Sequence, residues 1–513
     1  MAALRCRPLR GALRPPGARG TGAFGALCPA GPRGRRRTRR GRGPCHGRPG
    51  VSAMPTDSLP DADVIETFLG STVDVHGHGP PRPLAAALDD LAGTVVGAGE
   101  PVLIAMPNGT SLLTAFFAVL LHGGVPVPLA PASSSARITE VARRLGARAL
   151  IAPRVDARRY GAVPPRPFGD ADLLLLPWSE RRHHSRGEVI LMTSGTSGIA
   201  SGCLHAFDSL LENAARHANA VGQREGDTVL LNLPLHYSYA LVAQALAALV
   251  RGSRLVITGP PFTPRTYVEA LRTHQVALSS LTPAAVARFI EQDLALPGTL
   301  RTLTVGGDRL PPAHVRRLLA SRPGLELYLT YGLTEAGPRV TTLAAHREPP
   351  RRYASSGLPL HGVRTRLRPS GLADGSQELL VESSTVLRRR VPDDQSSPLV
   401  APGTIATGDL FTIDEDGYHY IQGRLSDSII VGGEKVWLPS VRAAAEAIPG
   451  VRRSTSRVHA ENGEHRYELD VYVDHPSPAL TADIKRTLYR LLLRNERPHR
   501  ITVRPARTTD WHK

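Results

Sequence analysis

Lysine is almost missing from this chain. Its 513 residues hold three, Lys435, Lys485 and Lys513, against 60 arginines. The skew reads as codon bias, and it leaves few candidates for any role that needs a compact ammonium. Cysteine is nearly as scarce. Cys6, Cys28 and Cys45 fall in the first 53 residues, so Cys203 stands alone in the body. One cysteine excludes a disulfide scaffold or a cysteine metal centre, and suits a reducing, cytoplasmic setting. Long apolar runs are lacking too: Ser111–Leu121 stops at His122-Gly123-Gly124, well short of a membrane span.

Acidic residues are absent from residues 1–53, which carry 13 arginines. The net charge of +18 therefore misleads: the remainder has 50 basic residues against 45 acidic, an ordinary balance that makes nucleic acid an improbable partner. The leader has three readings: an over-long start with the true one at Met54, an organellar transit segment, or a basic arm for nucleic acid. In each it is expected to be disordered, because it cannot bury enough apolar surface to offset chain entropy.

What is present is a chain too long for one ordinary domain, with 41% hydrophobic residues. From about residue 62, short apolar strands alternate with amphipathic helices. Pro101–Met106, Val125–Leu129, Ala147–Ala152, Thr228–Leu231, Ser253–Thr258 and Leu300–Val305 read as strands covered on both faces, hence α/β layering. A helix near Asp208 carries a capping-box pair, Ser209 and Glu212. Past residue 340 the pattern turns β-rich, with strands at Glu378–Glu382 and Tyr418–Ile421. A small α+β unit follows, with helices near 439–448 and, capped by Thr481, to about Arg494. The expected domains are a leader (1–53), a large N-terminal domain of α/β layers plus a β-rich subdomain (54–424), and a small mobile C-terminal domain (425–513).

The strand Glu188–Met192 delivers Thr193-Ser194-Gly195-Thr196-Ser197-Gly198. Small residues leave backbone N–H groups free to wrap an anion, and four hydroxyls add donors. No lysine follows, so this is not the loop of P-loop NTPases. Gly306-Gly307 ends a strand where a flat ring could approach the backbone. Tyr331-Gly-Leu-Thr334-Glu335 offers an aromatic face, a hydroxyl and a carboxylate within one turn, the set a nucleotide and its metal need. Asp409 could accept two ribose hydroxyls beside Arg424. Gly432-Gly433 near Lys435 reads by default as a β-turn.

Taken in order, these motifs resemble the adenylate-forming superfamily of acyl- and aryl-CoA synthetases, luciferases and peptide-synthetase adenylation domains. The likeness spans residues 62–513 and includes Pro107-Asn108, Pro234–Ser238 and Gly423-Arg424-x-x-Asp427. It implies an ATP-dependent ligase forming an acyl-adenylate and then a thioester with coenzyme A or the phosphopantetheine of an acyl carrier protein. A nucleotide-binding protein without turnover remains a further reading. By that likeness Thr193–Gly198 would cradle phosphates, with Thr196 and Glu335 on Mg²⁺ and Thr334 on the α-phosphate. Tyr331 would stack on adenine against Gly306-Gly307, and Asp409 with Arg424 would hold the ribose. Ser426 would be the hinge that brings Gly432, Gly433 and their neighbours to the thiol tunnel, and Lys435 would reach AMP or the thiol unless its role is structural. His236 and Tyr237 sit where the family gates its carboxylate pocket, though wall packing would serve them equally. No aspartate precedes them to pair an ammonium, so a small carboxylic acid is favoured over an α-amino acid.

Two departures stand out. The family's loop continues Pro-Lys-Gly, whereas this chain reads Ala200-Ser201-Gly202. The family's final motif resembles Pro-Arg-Thr-x-x-Gly-Lys, whereas this chain ends Arg507-Thr-Thr-Asp-Trp-His-Lys513. Lys513 is the candidate adenylation lysine.

Overall fold

A helix here starts where a short polar side chain can cap it and stops where glycine can turn it. In Ser135–Leu145, Ser134 accepts from Arg137 N, and Ile138, Val141, Ala142 and Leu145 share the buried face. Gly146 closes it at φ 62°, a left-handed conformation that costs a residue without Cβ little. Thr282 and Pro283 open Pro283–Glu291 by the same logic. The computed structural model describes residues 60–77, 82–177, 182–193, 201–259, 263–370, 375–393, 397–431, 434–461, 464–492 and 496–506. The leader 1–53 lies outside them.

The expected α/β layering is present. An eight-stranded sheet runs Val73–Asp74, Arg254–Ile257, Thr228–Leu231, Leu278–Leu281, Thr302–Gly306, Glu326–Gly332, Arg339–Ala344, Leu358–Pro359. It is parallel as far as Glu326–Gly332 and antiparallel beyond. A five-stranded sheet pairs Val125–Pro128, Pro101–Ile104 and Ala149–Ala152 in parallel, with Ala171–Leu175 and Arg166–Phe168 antiparallel at one edge. Thr110–His122, buried along most of its length, packs in the core that joins the two sheets.

Beyond residue 360 an antiparallel sheet forms from Arg364–Pro369, Gln377–Glu382, Leu399–Ala401, Thr404–Ile413 and His419–Arg424. Residues from Ile429 to Ile501 assemble a core of their own around Val436, Val441, Tyr467, Leu469 and Ile484. Its sheet includes Val451–Glu461 and Arg500–Pro505, two strands the sequence does not announce because their apolar residues are few.

Two helix starts differ from expectation. Phe207–Ala220 begins ahead of Ser209, whose hydroxyl donates back to Ala206 O rather than capping. Phe207 is fully buried against Phe116 and Phe117 and draws the first turn forward, while Glu212 pairs with Arg216. In Pro478–Leu491 the cap is Ser477, which accepts from Leu480 N; Thr481 lies inside the helix.

Candidate active site

The loop Thr193–Gly198 is entered from one strand of a hairpin. Glu188–Thr193 pairs antiparallel with Ser201–Ala206, Thr193 opposite Ser201, and Thr193 Oγ1 lies 3.0 Å from Ser201 Oγ. Ser194, Gly195, Thr196, Ser197 and Gly198 lie outside the described residues, as do Gly432, Gly433 and Lys513. A third strand, Arg389–Val391, pairs with the outer edge of Ser201–Ala206, Arg390 opposite Cys203.

That third strand supplies a residue sequence reasoning missed. Arg390 Nη1 donates to Ser201 Oγ at 3.0 Å and Nη2 to Glu335 Oε1 at 2.7 Å. Leu387 N donates to Glu335 O at 2.8 Å, so the segment is stitched to the same turn. A guanidinium thus occupies the neighbourhood of the residue that replaces the family's loop lysine. The available signal was the run Arg388-Arg389-Arg390, hidden among so many arginines.

Glu335 belongs to the turn Thr334–Ala336 that follows the strand Glu326–Gly332. The neighbouring strand ends at Gly306, paired with Thr330. A Cβ on Gly306 would fall 2.4 Å from Thr330 Oγ1, so only glycine lets the two strands approach in this way. Gly307 follows at φ 94°, again suited to glycine. Thr334 Oγ1 lies 3.0 Å from Ser238 Oγ, which brings the Pro234–Ser238 segment to this turn. His236 and Tyr237 pack with ring centroids 4.2 Å apart, their planes tilted by 45°. Tyr237 is half exposed, and burial lowers the His236 imidazole to about 4, so it is neutral at pH 7.

Tyr331 donates its hydroxyl to Asp409 Oδ2 at 2.7 Å and sets its ring edge-on to Phe411. Asp409 faces Arg424 across Thr404–Ile413 and His419–Arg424, and Arg424 Nε lies 2.8 Å from Asp409 Oδ1. Burial lifts the Asp409 carboxyl above its usual range, with Arg424 and the Tyr331 hydroxyl opposing the rise. Burial, then the Asp409 charge, pushes the Tyr331 phenol well up, so it remains a donor. Hydrogen bonds and ion pairs therefore unite Tyr331, Asp409 and Arg424 in one cluster, and Thr334 with Ser238 and Glu335 with Arg390 in the adjoining turn. Ser426 lies in the turn Leu425–Asp427, and Lys435 in Glu434–Trp437, opposite Ile430.

Among the described residues no three His, Cys, Asp or Glu cluster as a metal cage. Magnesium, which takes one or two carboxylates and completes its shell with phosphate and water, needs no such cage. Glu335, partly exposed within the turn Thr334–Ala336, fits that requirement.

Comparison with known proteins agrees with this geometry. A long-chain-fatty-acid–CoA ligase of Mycobacterium tuberculosis is 27% identical over 392 residues, 71% of this chain and 76% of that protein. A 2-succinylbenzoate–CoA ligase of Bacillus pumilus is 27% identical over 264 residues, 50% of this chain and 52% of that protein. Among solved structures, o-succinylbenzoate CoA synthetase of Bacillus subtilis with its acyl-adenylate superposes with TM-score 0.70 at 20% identity, covering 86% of this chain and 93% of that one. The same fold recurs there in complexes with ATP and magnesium (TM-score 0.68). The family described as AMP-binding enzyme matches residues 82–376, the stretch that carries Gly306, Tyr331, Thr334 and Glu335. By that match, over more than half its length, the chain belongs to the AMP-binding enzymes.

Proposed function

We propose that the chain is an ATP-dependent carboxylic-acid ligase making an acyl- or aryl-CoA thioester. The observation that carries the reading is the cluster in which Tyr331, Asp409 and Arg424 sit one turn from Thr334, Glu335 and Arg390. CoA ligases among its relatives support the same chemistry.

In the first step a carboxylate oxygen of the acid attacks the α-phosphorus of ATP, the bond to the bridging oxygen breaks, and pyrophosphate leaves. The barrier is the meeting of two anions, so fixed donors and cations matter most. Tyr331 holds the adenine face, and Asp409 with Arg424 orients the ribose. Thr334 donates to the α-phosphate, and Thr193–Gly198 wraps the other phosphates. Arg390 stands where it can neutralise them. Magnesium bound by Glu335 and Thr196 would draw charge off the phosphate oxygens. Lys513 is the adenylation cation in this reading. In the second step a thiol loses its proton, its sulfur bonds to the acyl carbon, and AMP departs. Ser426 is the hinge between the steps, and Gly432, Gly433 and Lys435 approach the thiol. His236 and Tyr237 line the passage between acid and thiol. Cys203, buried and the one cysteine among the described residues, suits work in a reducing cytoplasm.

Acid-dependent ATP–pyrophosphate exchange, followed by mass detection of the CoA thioester, tests this. Absence of exchange with every acid in a broad panel would remove the reading. One observation favours a second acceptor: an isonitrile lipopeptide synthase of Streptomyces coeruleorubidus matches 76% of this chain at 29% identity over 28% of its own length. Offering free CoA and a holo-carrier protein side by side separates the two acceptors.

A further inference from the structure

Arg339 is the one lysine or arginine among the described residues with a fully buried side chain, at 3% exposure. Every buried carboxylate has an arginine partner: Glu100 with Arg148, Glu188 with Arg388, Glu378 with Arg368, Asp409 with Arg424, Asp470 with Arg457. The converse fails. None of the ion pairs among the described residues includes Arg339, and its contacts are neutral. Nη1 donates to Thr330 Oγ1 at 2.8 Å, the guanidinium lies 4.1 Å above the centre of the Tyr239 ring, and Nε has no hydrogen-bond partner. The neighbouring His217 is wholly buried, and burial and then Arg339 hold its imidazole neutral, at about 3. A buried, unpaired cation is expensive, and folded proteins keep one where an anion arrives to meet it.

The helix contact at this strand does not use that side chain. Asn213 fastens the helix Phe207–Ala220 to this strand through the backbone of Arg339, accepting from its N and donating to its O. The guanidinium instead reaches the strand end at Gly306, where its Nη1 would lie 3.1 Å from a Cβ on that glycine. Two adjacent residues link this side chain to the reacting turn. Ser238 bonds Thr334 at the partly exposed end, where the reacting carboxylate meets the α-phosphate in the function proposed above. Its neighbour Tyr239 lies under Arg339, deeper in the fold.

We infer that Arg339 binds a second carboxylate at the far end of the acyl substrate, so that this ligase acts on dicarboxylic acids. The inference rests on the ligase reading for which end of the acid reacts. A guanidinium is planar and always charged, and the Nε–H here has no acceptor within the protein, so it can offer a carboxylate a fork that an ammonium cannot reproduce.

The test compares straight-chain and aryl dicarboxylic acids with monocarboxylic acids of matched length and shape. Pyrophosphate exchange gives kcat/KM, and thermal denaturation without ATP reports binding alone. The wild-type enzyme should favour the best dicarboxylic acid over its monocarboxylic partner by about 100-fold or more, since a site built for a polar group strongly rejects an analogue lacking it. Arg339→Met should bring that ratio near unity, and Arg339→Lys should restore part of it. A wild-type ratio near unity, or a ratio unchanged in R339M, overturns the inference. Should R339M not fold, the wild-type ratio and the melting shift with dicarboxylate decide it. If no acid supports exchange yet dicarboxylates alone raise the melting temperature of the wild type, the ligase reading fails and the anion site stands.

Discussion

Arg390 bridges Ser201 and Glu335, with Nη1 3.0 Å from the hydroxyl and Nη2 2.7 Å from the carboxylate. Where the resembled family carries a loop lysine, this chain places a serine and brings a cation in from another strand. Hydrogen bonds to charged groups contribute about 1.5–3 kcal/mol each, so Arg390→Ala should lower kcat/KM for ATP by about 10- to 100-fold. Ser201→Lys in the same background should recover part of the loss. Equal ATP kinetics for R390A and wild type would show that the bridge is only structural.

Tyr331→Phe keeps the ring and removes the hydroxyl that Asp409 Oδ2 accepts. A buried acceptor left unpaired costs about 1–3 kcal/mol. Urea denaturation should register a loss of that order, together with a raised KM for ATP and little change in KM for the acid. A rise confined to the acid would place Tyr331 in the wrong half of the site.

Acid should destabilise the fold through its buried imidazoles. Burial lowers His217 to about 3 and His205 to about 4, against a usual imidazole value near 6.5. The unfolded chain therefore takes up these protons first. Stability is complete above about pH 6.5 and drains as pH falls towards the folded values, by about 1.4 kcal/mol per pH unit for each such histidine. Melting curves from about pH 8 down to about pH 4.5 should show the decline, shallower in His217→Met. A flat profile would mean these imidazoles are not buried in solution.

Cys203 is fully buried, and burial pushes its thiol well up. In a chain beginning at Met54 it is the sole cysteine, so thiol reagents should find nothing in the native protein and one group in denaturant. Rapid labelling of the native protein would contradict this packing.

Much of the architecture was legible because it is repetitive. Pro101–Ile104 and Ala149–Ala152 read as near-continuous apolar runs and are buried on both faces. Tyr331, Thr334, Glu335 and Asp409 were legible as motifs, while the Tyr331–Asp409 bond across 78 positions was not. Ser209 misled because capping is a local rule, and the burial of Phe207 outweighed it. Arg390 and Arg339 were unreadable for another reason. Arg389–Val391 is a strand of three residues with no alternation, made by its pairing to the hairpin. The worth of Arg339 lies in the lack of any carboxylate beside it, a property of packing that no sequence window contains.

That short strand also carries a consequence for biogenesis. Ser201–Ala206 has Glu188–Thr193 on one side and Arg389–Val391 on the other, and its second neighbour leaves the ribosome 189 positions after Ser201. Until then a nascent chain displays Ser201–Ala206 as an open edge, the kind of template on which polypeptides aggregate. Translation arrest or proteolytic clipping ahead of Arg389 would make that exposure permanent, and such truncated products should be clients of chaperones rather than weak enzymes.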